Sequence, residues 1–241
     1  MKKQLLLLGI LLSSFVCWTY AQADLSEAEQ LYRDGRFAEA LGSYEKELKL
    51  YPNDPFLYYN IGNAYFKMGS NGLAVANYYR AYRLLPRDKD IRHNLALALA
   101  SSGEQLVPAD IPAVAYQAFF CLSYDELKGL TYALFWLLAL VGWVWLVKRK
   151  AGKVAVVLLV LFGISATWLY ARHSLQTRTL AVVAAPSAEI RSGPGTNFPA
   201  NATAAQGHLL DIVDKKDQWY EVIVNSQSIK GWVESSAIEK I

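Results

Sequence analysis

The chain has 241 residues, of which 54% are apolar and 19% are charged, and its mean hydropathy is +0.15. Globular proteins usually carry about 25% charged residues, so this composition excludes intrinsic disorder and indicates that part of the chain lies in a membrane. The net charge of +3 does not indicate nucleic-acid binding, because residues 24–110 and 179–241 each hold two more acidic than basic side chains. The excess positive charge flanks apolar segments instead, as membrane-orienting residues do.

The N-terminal residues have the three parts of a secretory signal peptide. Lys2 and Lys3 form a basic start, the apolar run 5–16 follows, and Ala21-Gln22-Ala23 is a typical cleavage site. We therefore predict a signal peptide over residues 1–23. A retained N-terminal anchor is the alternative, although the run is shorter than the ~20 residues that a spanning helix needs. Lipidation at Cys17 is not expected, because Val16 is a poor residue before a lipidated cysteine.

Residues 24–103 contain an internal helical repeat, recognised by residue types that recur at a fixed spacing. The residues that match are Ala28, Leu31, Gly35, Ala40, Tyr44 and Pro52, which align with Gly62, Tyr65, Gly69, Ala74, Tyr78 and Pro86. Small residues at these positions let two helices approach closely, while the glycines and prolines end helices. The period and the residue types resemble the tetratricopeptide repeat (TPR), which implies two helical hairpins. Residues 88–101 are predicted to form a capping helix that covers the second hairpin.

The resemblance to TPR proteins also implies a binding groove for an extended peptide or a partner helix. In that family the first helices of the repeats form a concave face, and the matching positions here are Tyr32, Arg33, Tyr59, Asn63, Phe66, Lys67 and His93. The alternative for the aromatic residues in this set is that they only pack between helices. The groove lacks the full set of lysines and arginines found in chaperone-binding clamps, so binding of a C-terminal carboxylate is not expected.

Two apolar segments, residues 129–147 and 154–171, predict a transmembrane hairpin. The loop between them, residues 148–153, carries four lysines and arginines, and such a short basic loop is expected in the cytoplasm. Both flanking domains would then lie on the periplasmic side of an inner membrane. Residues 104–128 before the first span are predicted to form a juxtamembrane segment at the interface.

Residues 172–241 are predicted to form a small all-β barrel. Short alternating runs are separated by turn residues, among them the segment 192–195 and Gly207. The sequence from Glu189 to Gly195, the segment Trp219-Tyr220 and the segment 231–233 resemble a bacterial SH3 domain. Its candidate surface residues are Arg191, Trp219 and Trp232, although buried structural roles for the tryptophans are the alternative. Arg191 is expected either to hold an acidic partner or to cap strand carbonyls.

Cysteine and histidine are too sparse to build a nucleophile–base pair or a metal site. The chain has two cysteines and three histidines, without catalytic or metal-ligand spacing. We therefore expect no enzyme activity, no catalytic residue, no metal and no cofactor.

The order of the parts carries more information than any one of them. A signal peptide, a TPR pair, a basic-looped membrane hairpin and an SH3-like tail together resemble the BatE family, the TPR proteins of the Bat aerotolerance operon in Bacteroides-type bacteria. This resemblance implies an inner-membrane protein that acts with other Bat membrane proteins, including von Willebrand A-domain proteins, in tolerance of oxygen or oxidative stress. Two alternatives stay open, namely a cell-envelope tether that binds peptidoglycan and an enzyme with an unrecognised site.

Overall fold

The computed structural model describes residues 26–108, 110–177, 179–224 and 229–241. The predicted signal peptide at residues 1–23 lies outside these described residues. The structure confirms the predicted fold class: a TPR-like helical region, two long apolar helices, and a C-terminal antiparallel sheet that is consistent with an SH3-like domain. The helices are α1 Glu27–Arg33, α2 Phe37–Leu50, α3 Pro55–Lys67, α4 Asn71–Leu84, α5 Lys89–Ala100, α6 Ala113–Phe119, α7 Tyr124–Lys148 and α8 Gly152–Gln176.

The helical repeats are held in register by one recurring turn. Gly35, Gly69 and Gly103 recur at the repeat period and all have φ between +76° and +78°, a conformation that strongly favours glycine. In each turn the glycine N–H donates three residues back and the next N–H donates five residues back, as from Arg36 to the Leu31 carbonyl. The third copy of this turn follows α5. The capping helix therefore ends as the first helix of a third hairpin would, but the next described helix is the short α6.

The hairpins close around small residues. Gly62 of α3 lies directly against the ring of Tyr78 in α4, since a Cβ at Gly62 would be 2.6 Å from Tyr78 Cδ1. Ala28, Ala40 and Ala74 are fully buried at the other close approaches. Asp54 and Asp88 accept hydrogen bonds from the backbone N–H groups that open α3 and α5, so both helices begin at side-chain caps.

The two apolar helices form an antiparallel pair. Each has 25 residues, or about 37 Å at 1.5 Å per residue, which is enough to cross a ~30 Å hydrocarbon core. Their side chains are mostly exposed, unlike those of a core helix in a soluble protein. Ser123 and Glu126 form the capping box that opens α7. The helices extend beyond the predicted spans: α7 begins at Tyr124, only residues 149–151 separate it from α8, and residues 172–176 are helical.

The β domain is a single seven-stranded antiparallel sheet in the order β3-β2-β6-β5-β4-β1-β7. Its strands are β1 Thr179–Val183, β2 Ser187–Arg191, β3 Ala200–Ala205, β4 Leu209–Lys216, β5 Trp219–Val224, β6 Ile229–Glu234 and β7 Ile238–Lys240, with a 3₁₀ turn at Ser235–Ala237. Tyr220, Val222 and Val224 point into its core because side chains alternate along β5. Gly231 is required at its position, since a Cβ there would be 2.6 Å from the Arg191 carbonyl oxygen.

The β domain packs directly on the helical repeats, although the membrane hairpin separates the two in sequence. Val182 of β1 is fully buried in the same apolar cluster as Ala74, Val75 and Leu99. Gly72 of α4 lies against the backbone of β1, where a Cβ would be 2.1 Å from the Val183 carbonyl oxygen. Both domains must therefore lie on the same side of any membrane that α7 and α8 cross.

An ion pair at the far end of α4 adds to this contact. Arg80 lies 2.6 Å (Nη2–Oε1) from Glu239 and also donates to the Lys240 carbonyl. Arg80 is largely shielded from solvent, so the pair is less screened than a surface salt bridge. The two domains thus meet along most of the length of α4.

Candidate functional site

The side of the repeats that carries the first helices holds a network of polar side chains. The Asn94 side-chain amide donates to the Tyr59 hydroxyl at 3.0 Å and to Asn63 Oδ1 at 2.9 Å. The Tyr78 hydroxyl donates to the same Asn63 oxygen at 2.7 Å. Tyr59 and Asn63 lie four residues apart on α3, so they share the face that α5 meets. The network ties α3, α4 and α5 together at the base of the predicted groove.

Asn94 contacts two residues of the predicted groove, although the repeat pattern does not identify it. The resemblance to TPR proteins gives its neighbour His93 as a groove position, and the structure places the His93 side chain on the exposed surface of α5. A helix turns by about 100° per residue, so a shift of one position moves a side chain to a different face. A signal for Asn94 is nevertheless present in the sequence. Asn94 lies three residues after Ile91 and four before Ala98, which are both buried, so it lies on the same face of α5 as these core residues.

The aromatic residues of the predicted groove are half-buried. Tyr32 packs edge-on against Phe37 with ring centroids 5.2 Å apart, and Tyr59 lies 5.9 Å from the ring of Tyr78. Phe66 packs against the buried cluster of α4 and α5. Burial raises the pKa of Tyr32, and the nearby Tyr59 adds to the effect. These rings support the repeats and also present edges to solvent.

The charged residues of the predicted groove are exposed. Lys67 lies four residues after Asn63 at the end of α3, and Arg33 forms an i,i+4 ion pair with Glu29 at 3.4 Å. Such an exposed pair contributes little to stability, so Arg33 can exchange Glu29 for a carboxylate of a partner. The β domain contacts the repeats on α4 and at Ser102, and its Val182 shares a buried cluster with Leu99 of α5. On the α1–α3 surface, which we define by Tyr32 and Arg33 of α1 and Asn63 and Lys67 of α3, the two charged side chains are exposed and the other two are half-buried.

In the β domain, Arg191 stabilises the loop that follows β2 through hydrogen bonds. Its guanidinium donates to the carbonyl oxygens of Thr196 and Phe198, at 3.2 and 2.6 Å, and forms an ion pair with Glu189. The ring of Phe198 lies over Gly193, where a Cβ would be 2.6 Å from the ring. Of the two roles considered for Arg191, the structure therefore shows the capping of backbone carbonyls.

Trp219 and Trp232 lie on the outer face of the sheet and are half-buried. Trp232 stands opposite Glu221, two residues from Trp219 along β5, so the two indoles are diagonal neighbours on one face. Neither belongs to the buried core of the domain, which contains Tyr220 and Val233 instead. Both tryptophans are therefore available to a ligand that lies flat on β5 and β6.

Within the described residues, no cluster of three or more histidine, cysteine, aspartate or glutamate side chains has the arrangement of a metal site. The described cysteine, Cys121, is half-buried. The surfaces described above carry charged, hydrogen-bonding and aromatic side chains that a partner or ligand could contact.

Comparison with known families supports the two modules. Residues 28–69 match the TPR repeat family, and residues 186–239 match the bacterial SH3 domain family. The mouse protein "Protein arginine N-methyltransferase 9" is 33% identical over 67 residues, which is 28% of this chain. The chain spans only 8% of that relative's length. TPR and SH3 domains are typically non-catalytic interaction modules, so the matched regions indicate protein–protein interaction or peptidoglycan binding.

Proposed function

We propose that this protein is a scaffold in the inner membrane, with its repeats and its β domain in the periplasm. The docking of the β domain on α4 carries this proposal, because it requires both ends of the α7–α8 hairpin to lie on one side of the membrane. The basic residues at the tip, Lys148, Arg149 and Lys150, support a cytoplasmic position for the short turn. The predicted export signal at residues 1–23 agrees with this orientation.

The proposed partner is another membrane protein of a Bat-type complex that serves tolerance of oxygen or oxidative stress. The order of modules supports this choice, together with the accessible α1–α3 surface. Crosslinking in native membranes, followed by mass spectrometry, tests it. We expect crosslinks from Lys67 to a membrane-anchored von Willebrand A-domain protein. Crosslinks only to cytoplasmic proteins would contradict both the orientation and the partner.

A peptidoglycan tether is the second candidate function, favoured by the paired outer-face indoles of Trp219 and Trp232. Flat aromatic faces pack well against the apolar faces of sugars. Binding of the full chain to isolated sacculi, compared with a Trp219→Ala, Trp232→Ala variant, separates the two functions. If the protein is a tether, the variant should lose its binding to sacculi. If the protein is a scaffold that uses the repeats, the variant should still bind its protein partner at the wild-type level.

A further inference from the structure

A cavity of about 690 Å³ lies where the repeats, the α8 helix and the β domain meet. It lies beside α4 and α5, next to the point after Gly103 where the chain leaves the repeat pattern. Its lining includes Tyr79 and Tyr82 of α4, Glu104 after the third turn, Tyr116 of α6, and Leu209 of β4. A cavity of this size is in the range of small-ligand sites.

The cavity lies at the level where lipid headgroups are expected. Arg172, Leu175 and Gln176 in the last turns of α8 line it, so it adjoins the membrane end of a spanning helix. Arg172 is fixed there, because its guanidinium donates to the Phe119 and Leu122 carbonyls at 3.1 Å and stacks 4.6 Å from the Phe120 ring centroid. Arginines and aromatic rings that line a site at this depth suit the phosphate and glycerol region of a lipid.

The lining combines apolar walls with charged groups of both signs. Leu99, Leu106 and Leu180 provide apolar walls, while Arg83 supplies a cationic group near the α4 tyrosines. An adjoining cavity of about 400 Å³ shares Tyr82, Leu106 and Tyr116 and adds Arg87 and Arg92. Burial raises the pKa of Tyr79, Tyr82 and Tyr116, so their hydroxyls remain protonated donors at neutral pH.

Glu104 provides the most specific feature of this cavity. Its Oε1 atom is buried and has no hydrogen-bond partner among the described residues. A buried carboxylate oxygen without a donor is costly, and a ligand with an N–H group would satisfy it. A trimethylated ammonium group would not, because it has no N–H to donate.

We propose that the cavity binds a phospholipid whose headgroup carries a primary ammonium group, as phosphatidylethanolamine does. The ammonium group donates to Glu104 Oε1, the phosphate lies near the arginines, and one acyl chain occupies the leucine-lined interior. This inference rests on the proposed membrane location of the chain but is independent of the proposed partner. A lipid there would join the repeats, the membrane hairpin and the β domain into one unit.

The test uses the purified, delipidated full chain in detergent, with no partner present. The protein is mixed with equal amounts of phosphatidylethanolamine and phosphatidylcholine of identical acyl chains, and bound lipid is measured by native mass spectrometry. We expect about a tenfold preference for phosphatidylethanolamine, the order expected for one charge-assisted hydrogen bond. Glu104→Gln should bring the ratio close to one, whereas the exposed-site control Glu27→Gln should keep the wild-type ratio.

Three results would overturn the proposal. These are equal binding of the two lipids by the wild type, equal binding of phosphatidylglycerol, which has no ammonium group, and a wild-type ratio in Glu104→Gln. Circular dichroism establishes that this variant is folded. A cavity-filling change, Leu106→Trp, should lower the binding of both lipids together, and unchanged lipid binding in that variant would place the lipid elsewhere. Failure of partner capture alone would leave these lipid ratios unaffected.

Discussion

The contact between α4 and the β domain predicts an unusual effect of a glycine-to-alanine change in a helix. Alanine normally stabilises a helix interior by about 0.5–1 kcal/mol relative to glycine. At Gly72, however, the new Cβ would lie 2.1 Å from the Val183 carbonyl oxygen and 2.9 Å from Ala184 Cα. Both neighbours are main-chain atoms that cannot rotate away. Overpacking of this kind costs about 1–3 kcal/mol, so the clash outweighs the gain in helix propensity.

Gly42 of α2 provides the matched control, because a Cβ at that helical glycine would meet no atom within 4 Å. Gly42→Ala should therefore stabilise the chain by about 0.5–1 kcal/mol, while Gly72→Ala should destabilise it or separate the domains. Thermal unfolding of the full chain in detergent measures the first effect. Hydrogen exchange of the segments 179–183 and 238–241 measures the second. Equal stability of the two variants, with unchanged protection of β1, would refute the packing of the β domain on α4.

Three further predictions concern the repeats and the hairpin. Gly62→Leu should destabilise the repeats by about 1–3 kcal/mol or more in thermal unfolding, because the leucine side chain would overlap the Tyr78 ring. The exposed control Lys46→Gln should change the free energy of unfolding by less than about 0.5 kcal/mol. Asn94→Ala should cost about 1–2 kcal/mol in denaturant unfolding by leaving the Tyr59 hydroxyl without its donor, while His93→Ala should have little effect. In a Cys121→Ala background, a cysteine at Ala151 should resist a membrane-impermeant thiol reagent in intact spheroplasts, and one at Ser235 should react.

Each of these predictions has a result that contradicts it. Equal unfolding temperatures for Gly62→Leu and Lys46→Gln would show that the repeat register is wrong. Equal stability of Asn94→Ala and His93→Ala would show that the polar network does not hold α3 and α5 together. Labelling at residue 151 without labelling at residue 235 would reverse the proposed topology.

The sequence predicted the repeats well because their signal is local and periodic. Glycines and prolines that recur at the repeat period determine where helices end, and this information is contained in each turn. The third turn at Gly103 follows the same period and was available in the sequence. The position of Asn94 depends on the rotation of α5 against α3, which is set by packing rather than by composition.

The contact between the domains could not be predicted in the same way. Gly72 resembles any other glycine in a helix until β1 is placed against it, and the chain between them includes the membrane hairpin. Two strands of the β domain, β3 and β7, also carry little signal in the sequence. β3 consists mostly of alanine, and β7 has only three residues, so neither carries the alternation of large apolar side chains that identifies a strand. Arg172 directly follows the second predicted span, as a flanking charge would, but its burial depends on Phe119 and Phe120 folding over it.

Recruitment of a membrane partner by the α1–α3 surface is the proposal that quantitative co-purification from native membranes tests. The variant Tyr32→Ala, Lys67→Glu changes that surface without removing a member of the Asn94 network, and Lys46→Glu on α2 is the charge-matched control. If these residues are interface anchors, partner yield should fall at least tenfold in the first variant and stay unchanged in the control. Circular dichroism must show both proteins folded. A folded Tyr32→Ala, Lys67→Glu variant that retains its partner at wild-type yield would show that the α1–α3 surface does not recruit the partner.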